Sequence, residues 1–236
     1  MNPIFKKLAS QTAAYGLSNI VGRFLNYLLI PIYTRVFFPD EYGTVNELYA
    51  YASFLGVVFT YGMETAFFRY SEKEKGNPLV YSTSLISIIT TSLLLGAIII
   101  LFSNPLSNWL SSDESKYRIL PQYISWFAVV LAFDAISAVP FAKLRKQNKA
   151  LRFATIKLVN ILTYVGLNLF FLVGCPMLMK GSMHDLVSKF YDPTFGVGYI
   201  FISNLVASVV TLLLLAPEIF NLEYKLDTKL WKTMIL

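Results

Sequence analysis

The chain is a succession of long apolar runs, and polar side chains recur within several of them at helical spacing. A segment needs roughly 20 mostly apolar residues to cross a bilayer as a helix, and six runs approach or exceed that length. They occupy residues 8–33, 44–68, 79–102, 119–142, 153–173 and 196–215. The pattern therefore predicts an all-α, polytopic membrane protein with six transmembrane helices.

Three of these segments are predicted to carry a polar face, because their polar residues are spaced by three or four. The first run has Asn19, Arg23 and Asn26 at this spacing. In the second, the stripe consists of Tyr49, Ser53, Gly56, Thr60 and Glu64, and in the fifth it consists of Lys157, Asn160, Tyr164 and Asn168. We expect these faces to turn toward one another. The third run holds only Ser and Thr as polar groups and is expected to be the most lipid-facing helix.

The composition supports a membrane protein. The 236 residues are 56% hydrophobic and only 14% charged, whereas soluble domains carry about 25% charged residues. A net charge of +6 does not indicate nucleic-acid binding, because Lys and Arg are sorted by connection and are not grouped on one face with aromatic residues. Cys175 and His184 are each the single residue of their type, which excludes an internal disulfide and a thiolate-rich metal site.

Lysine and arginine are concentrated in alternate connections between the predicted spans. They are dense before the first span, after the second, after the fourth and after the sixth, and the densest stretch is KLRKQNKALR at residues 143–152. The intervening connections hold few basic residues. By the positive-inside rule, both termini are predicted to be cytoplasmic, which requires an even number of spans.

Five charged residues fall inside predicted spans, and three of them, Arg23, Glu64 and Asp134, are candidates for function, whereas Glu47 and Lys157 lie closer to span ends. Because an intramembrane charge costs about 2.5–3.5 kcal/mol on insertion scales, such residues normally face a bundle interior or a watered cavity. Arg23 is a candidate ligand for an anionic head group, or a partner in an ion pair with Glu64 or Asp134. The two carboxylates are candidate proton or cation sites, or structural partners of Arg23 or Lys157.

The uncharged polar residues of the spans are candidates for a hydrophilic path, with hydrogen bonding between helices as the alternative. They are Asn19, Asn26, Thr60, Asn160 and Asn168. The sequence contains no glycine-rich phosphate loop, no metal-ligand spacing and no Ser/His/Asp set, so no catalytic signature is present. No cofactor is expected.

Three separated blocks resemble one family. GRFLNYLLIPIYTRVFFPDEYG, TYGMETAFFRY and PFAKLRKQNKALRFATIKLVNIL resemble the amino-terminal half of bacterial polysaccharide (O-antigen type) flippases. These belong to the multidrug/oligosaccharidyl-lipid/polysaccharide exporter superfamily and are related to MATE transporters. The resemblance implies one six-helix lobe of a MATE-like transporter in the bacterial inner membrane. It also implies transfer of an undecaprenyl-pyrophosphate-linked oligosaccharide between leaflets, coupled to an H⁺ or Na⁺ gradient and not to an enzymatic reaction.

The same resemblance implies roles for individual residues and partners. Arg23 is expected to face the cavity and meet the pyrophosphate or an acidic sugar, and Glu64 and Asp134 are expected to be cavity or coupling carboxylates. The sequence ends about where a seventh helix would begin, so the carboxy-terminal lobe is expected to be missing from it, or a second copy to replace that lobe. The other expected partners are the lipid-linked oligosaccharide, membrane lipids and a glycan polymerase complex.

Two alternative functions follow from the same residues. A multidrug exporter lobe requires a mostly apolar, aromatic-lined cavity, and the polar stripes argue against it. A membrane enzyme or scaffold of a glycan-assembly complex is expected to concentrate acidic and basic residues at one interface. Here those residues lie at depth along predicted helices.

Overall fold

The computed structural model describes residues 3–111, 118–181, 184–221 and 225–235, with side chains described for residue 16 and from residue 20 onward. These residues form helices and no strand. In chain order the helices are α1 (Pro3–Val36), α2 (Pro39–Thr60), α3 (Met63–Lys73), α4 (Pro78–Leu101), α5 (Ser103–Leu110), α6 (Pro121–Lys146), α7 (Ala150–Leu169), α8 (Cys175–Met179), α9 (His184–Val187), α10 (Gly198–Leu214), α11 (Ala216–Phe220) and α12 (Thr228–Ile235). A π-helical turn, Phe170–Gly174, joins α7 to α8.

The described helices confirm an all-α, polytopic membrane protein. Three helical segments in the described part of the chain are long and apolar enough to cross a membrane: α4, α6 and the continuous segment Ala150–Met179. The shorter α10 is also apolar. The count of six spans and the cytoplasmic position of both termini stay predictions.

Helix α6 lies at the centre of the bundle and contacts α2, α3, α4, α5, α7, α10 and α11. Its contact with α4 is close because Gly96 presents no side chain there. A Cβ at Gly96 would lie 3.6 Å from both the Ala128 carbonyl oxygen and the Ala132 Cβ of α6. Small residues allow helices to approach in this way.

The expectation that the third span is the most lipid-facing was wrong for its first half. Residues 80–85 of α4 are buried, and exposed large apolar side chains begin only at Leu93. The hydroxyls in the buried half form hydrogen bonds within α4 or with neighbouring segments. Ser84, for example, donates to the Val80 carbonyl at 2.7 Å. Small hydroxyl side chains here permit helix packing and do not mark a lipid-facing surface.

The predicted second span, residues 44–68, is a broken helix. Tyr61 and Gly62 have positive φ angles of 32° and 72°, which end α2 and redirect the chain into α3. The Tyr61 hydroxyl lies 2.7 Å from Ser87 Oγ of α4 and ties the break to the bundle. Beyond the break, α3 packs on α4 and α6, and Glu64 falls in the first turn of α3.

Helix α2 also begins earlier than predicted, at Pro39. Proline suits the first helical turn because its missing N–H has no partner there. Asp40 and Glu41 in that turn favour the positive end of the helix dipole, and the Glu41 carboxylate accepts a hydrogen bond from the Phe38 amide at 3.0 Å.

The last described helix is bound to the bundle by side-chain hydrogen bonds. Trp231 of α12 donates through its indole N–H to Ser87 Oγ at 2.7 Å. The backbone amides of Lys225 and Asp227 donate to the hydroxyls of Ser82 and Thr83 of α4 at 2.9 and 3.1 Å. The serines and threonines of α4 therefore bind the segment that follows α11.

Candidate functional site

A polar cleft of about 280 Å³ opens between α1, α2, α7 and α10. Its polar wall consists of amide and phenol side chains, namely Asn26, Tyr33, Tyr42, Asn46, Tyr49, Asn160, Tyr164 and Asn204. We call it the amide cleft. Asparagine both donates and accepts hydrogen bonds, and so does a phenol hydroxyl. The cleft is therefore suited to a ligand rich in hydroxyl groups.

Hydrogen bonds between helices fix two of these amides. Asn160 of α7 donates to the Ala207 carbonyl at 3.0 Å and to Thr211 Oγ1 at 2.9 Å, both on α10. Asn204 of α10 donates to the Tyr49 hydroxyl of α2 at 3.1 Å. An amide has two donor hydrogens and an acceptor oxygen, so each side chain keeps further capacity for a ligand.

A buried cluster of Tyr33, Tyr164 and Asn168 holds the α1 and α7 walls of the amide cleft together. Asn168 is fully buried, and its amide oxygen accepts a hydrogen bond from the Tyr33 hydroxyl at 2.9 Å. Its amide nitrogen donates to the Tyr164 carbonyl at 2.8 Å, and the two tyrosine hydroxyls lie 3.1 Å apart. The cluster joins α1 to α7, so Asn168 positions the wall and does not line it.

A second cleft of about 320 Å³ lies between α2, α6 and α10, and we call it the carboxylate cleft. The α2 stripe of Tyr49, Ser53, Gly56 and Thr60 forms one wall, and Asp134 of α6 faces it. Tyr49 and Asn204 line both clefts, so the two adjoin at these residues, and their polar side chains are continuous there although most of the lining of the carboxylate cleft is apolar.

Asp134 gives this surface a carboxylate. It accepts a hydrogen bond from Ser208 Oγ of α10 at 2.9 Å, and the Lys157 ammonium is close enough to interact with it electrostatically. That ammonium lies 4.5 Å from the centre of the Phe141 ring. Thr60 uses its hydroxyl within α2, donating to the Gly56 carbonyl at 2.8 Å.

Comparison with known families fits this architecture. A family model described as polysaccharide biosynthesis protein matches residues 8–236, which include every residue of both clefts. The chain belongs to the polysaccharide biosynthesis protein family. Neither the curated proteins nor the solved structures contain a significant match.

Membership confirms the resemblance to the amino-terminal half of polysaccharide flippases that the three sequence blocks indicated. It also gives this multi-pass membrane protein a role in polysaccharide biosynthesis or export.

In this polysaccharide biosynthesis protein, Arg23 lies on α1 one turn before Asn26. Its side chain is exposed, and it does not line either cleft. The three-residue spacing puts Arg23 on the Asn26 side of α1, next to the amide cleft. The side chain of Asn19, one turn earlier, lies outside the described residues.

The alternative role of Arg23, an ion pair with Glu64 or Asp134, was wrong. Glu64 pairs with Arg145, whose guanidinium nitrogen lies 2.5 Å from the carboxylate, and Asp134 bonds to Ser208. The cause is the break at Gly62, which carries Glu64 toward the last turn of α6. Lys157 is not the ion-pair partner of Glu64 either, so that alternative was also wrong.

The sequence did not predict the places of three further residues, of which Asn46 and Asn204 line the clefts and Arg145 does not. Arg145 was assigned to a basic connection but lies within α6, where it is sandwiched between the rings of Phe68 and Phe153. Asn46 precedes Tyr49 by three residues, and that spacing would have extended the α2 stripe by one turn. Asn204 begins a similar spacing in the sixth run, with Ser208 and Thr211 four and seven residues later, but it was not among the predicted site residues.

Proposed function

We propose that this polysaccharide biosynthesis protein acts in a flippase that moves an undecaprenyl-pyrophosphate-linked oligosaccharide across the bacterial inner membrane. The observation that carries the proposal is the wall of amides and phenols in the amide cleft, with the Asp134 carboxylate in the adjoining cleft, within an otherwise apolar helical bundle. Sugar hydroxyls donate and accept hydrogen bonds, and the amides and phenols of the amide cleft match them.

Arg23 is the proposed contact for the pyrophosphate or an acidic sugar. A guanidinium remains charged at all relevant pH values and forms paired hydrogen bonds with phosphate oxygens. Its Cα lies about 4.5 Å along the helix axis from that of Asn26, given a rise of about 1.5 Å per residue. One ligand can therefore contact the guanidinium through its phosphate while its sugars contact Asn26 and Asn160.

Asp134 is the proposed ion-coupling residue, with either H⁺ or Na⁺ as the ion. Its carboxylate borders the polar surface and has one neutral partner, Ser208, and one nearby cation, Lys157. Glu64 is the weaker candidate because its carboxylate is engaged by Arg145. Alternating access requires a second repeat that moves against this one, supplied by another lobe or another copy.

Substitution of Arg23 tests the proposal in the native host. Arg23→Ala should abolish surface polysaccharide while the protein remains at its normal level in the membrane, because the phosphate loses its charged contact. Arg35→Ala is the matched control, since Arg35 is exposed in the last turn of the same helix and lies outside both clefts. Normal polysaccharide in the Arg23→Ala strain would reject the ligand role.

The tyrosines of the amide cleft favour one second candidate, a multidrug exporter lobe, because aromatic rings bind apolar and cationic drugs. The two functions separate in a strain that lacks the gene. Loss of surface polysaccharide with unchanged drug sensitivity supports the flippase, and the reverse result supports the exporter.

An enzymatic role predicts conversion of a lipid-linked sugar by purified protein without a gradient.

A further inference from the structure

A third cavity lies at the end of the bundle where the basic connections meet, apart from the amide and carboxylate clefts. Its volume is about 620 Å³, within the range of small-molecule sites. It is bounded by α3, the first turns of α4, the last turn of α6 and the residue after α11. Its polar lining includes Ser71, Asn77, Tyr81, Lys143, Lys146 and Asn221. We call it the lysine cavity.

Two ammonium groups are held at fixed positions in the lysine cavity. Lys143 Nζ lies 3.9 Å from the centre of the Tyr81 ring. Lys146 Nζ donates to the Ser71 carbonyl at 3.1 Å and lies 5.7 Å from the centre of the Phe67 ring. Each ammonium has three donor hydrogens, so both retain donors for a ligand.

None of the described residues that line the cavity balances the charge of these ammonium groups. The described residues that line it include no carboxylate. Neither lysine takes part in an ion pair within the described part of the chain; the nearby Glu218 pairs with Arg152 instead. The α4 N-terminus adds the positive end of its dipole, although Asn77 already caps the Leu79 amide at 3.0 Å.

We propose that the lysine cavity binds a phosphate group, carried by an anionic phospholipid or free in solution. The two lysines supply charge, and the side-chain amides of Asn77 and Asn221 supply hydrogen bonds to phosphate oxygens. The cavity lies at the predicted cytoplasmic end, where anionic lipids face basic pockets between transmembrane helices. The proposal is independent of the flippase function, because it uses no residue of either cleft.

The test uses the purified full chain in a nonionic detergent, titrated calorimetrically with short-chain phosphatidylglycerol and separately with inorganic phosphate. Lys143→Gln/Lys146→Gln should bind about a hundredfold more weakly or worse, because two charge-assisted hydrogen bonds to the phosphate are lost. Lys73→Gln/Lys75→Gln is the matched control, since it removes the same charge from exposed positions at the same end of the bundle. Lys143→Arg/Lys146→Arg should retain binding and shows that the fold tolerates change at these positions.

Each outcome decides the proposal. Selective loss of phosphatidylglycerol binding in the glutamine pair supports a lipid headgroup, and selective loss of binding to both titrants supports a phosphate site open to either source. Equal loss in the two glutamine pairs, no loss in either, or no binding to the unmodified chain would overturn the proposal. So would failure of the arginine pair to bind when its thermal unfolding matches that of the unmodified chain.

Discussion

At the scale of single residues, buried amides hold the walls of the clefts together. Asn168 is the clearest case, because it accepts from Tyr33 of α1 and donates to the Tyr164 carbonyl of its own helix. Because Asn168 is fully buried, its amide is satisfied by protein groups and not by water. The position of α1 against α7 therefore depends on this cluster.

Asn168→Ala should destabilise the protein by about 1–2 kcal/mol, because the Tyr33 hydroxyl loses its buried acceptor. Tyr33→Phe removes the same hydrogen bond from the other side and serves as the partner in a double-mutant cycle. Denaturant unfolding in detergent micelles should show that the double variant loses less stability than the sum of the two single losses. Strictly additive losses would mean that the two side chains do not interact.

Helical spacing predicted which residues share a face, but not which residues form ion pairs. Tyr49, Ser53, Gly56 and Thr60 all line the carboxylate cleft, as a stripe with a spacing of three or four requires. Glu64 was assigned to the same stripe and lies elsewhere, paired with Arg145. An ion pair between distant segments depends on how the helices pack, and periodicity within one helix does not contain that information.

At the scale of elements, the break between α2 and α3 shapes the site most strongly. The apolar run through residues 44–68 predicts one helix, because hydropathy does not report backbone conformation. The left-handed φ of Gly62 is the local cause of the break, and glycine adopts it without steric cost. The Tyr61-Gly62 pair was the available signal, and the prediction of one span did not take it into account.

Gly62→Ala should destabilise the protein by about 1–2 kcal/mol, because a Cβ is strained in the left-handed region. Gly43→Ala is the matched control: it lies inside α2, and a Cβ there would meet no atom within 4 Å. That control should stabilise the protein by about 0.4–1 kcal/mol. Chemical denaturation of both variants in the same detergent measures whether each change raises or lowers the free energy of unfolding. Stabilisation by Gly62→Ala would contradict a break at this position.

At the scale of the whole molecule, the fold joins polar residues of α1, α2, α6, α7 and α10 into one surface. The sequence predicted most of the contributing helices, because their polar stripes interrupt apolar runs. It could not predict that Tyr49 and Asn204 join two clefts, because residues 155 positions apart are brought together only by packing. Nor did it predict the lysine cavity, whose two lysines lie in a stretch that was assigned to a connection.

The central claim is that the clefts are accessible to water and receive the lipid-linked oligosaccharide, while the opposite side of α1 faces lipid. Single-cysteine variants test it most directly, in a Cys175→Ala background that removes the one native thiol, which is buried. Asn26→Cys lies in the amide cleft, and Leu28→Cys lies about 200° around the same helix with its native side chain 51% exposed.

The measurement is the rate of modification by a water-soluble maleimide in membrane vesicles, with and without added lipid-linked oligosaccharide. The account predicts severalfold faster modification at position 26 than at position 28, and slowing by the oligosaccharide at position 26 alone. Equal rates at the two positions, or fast modification at position 26 that the oligosaccharide leaves unchanged, would contradict it.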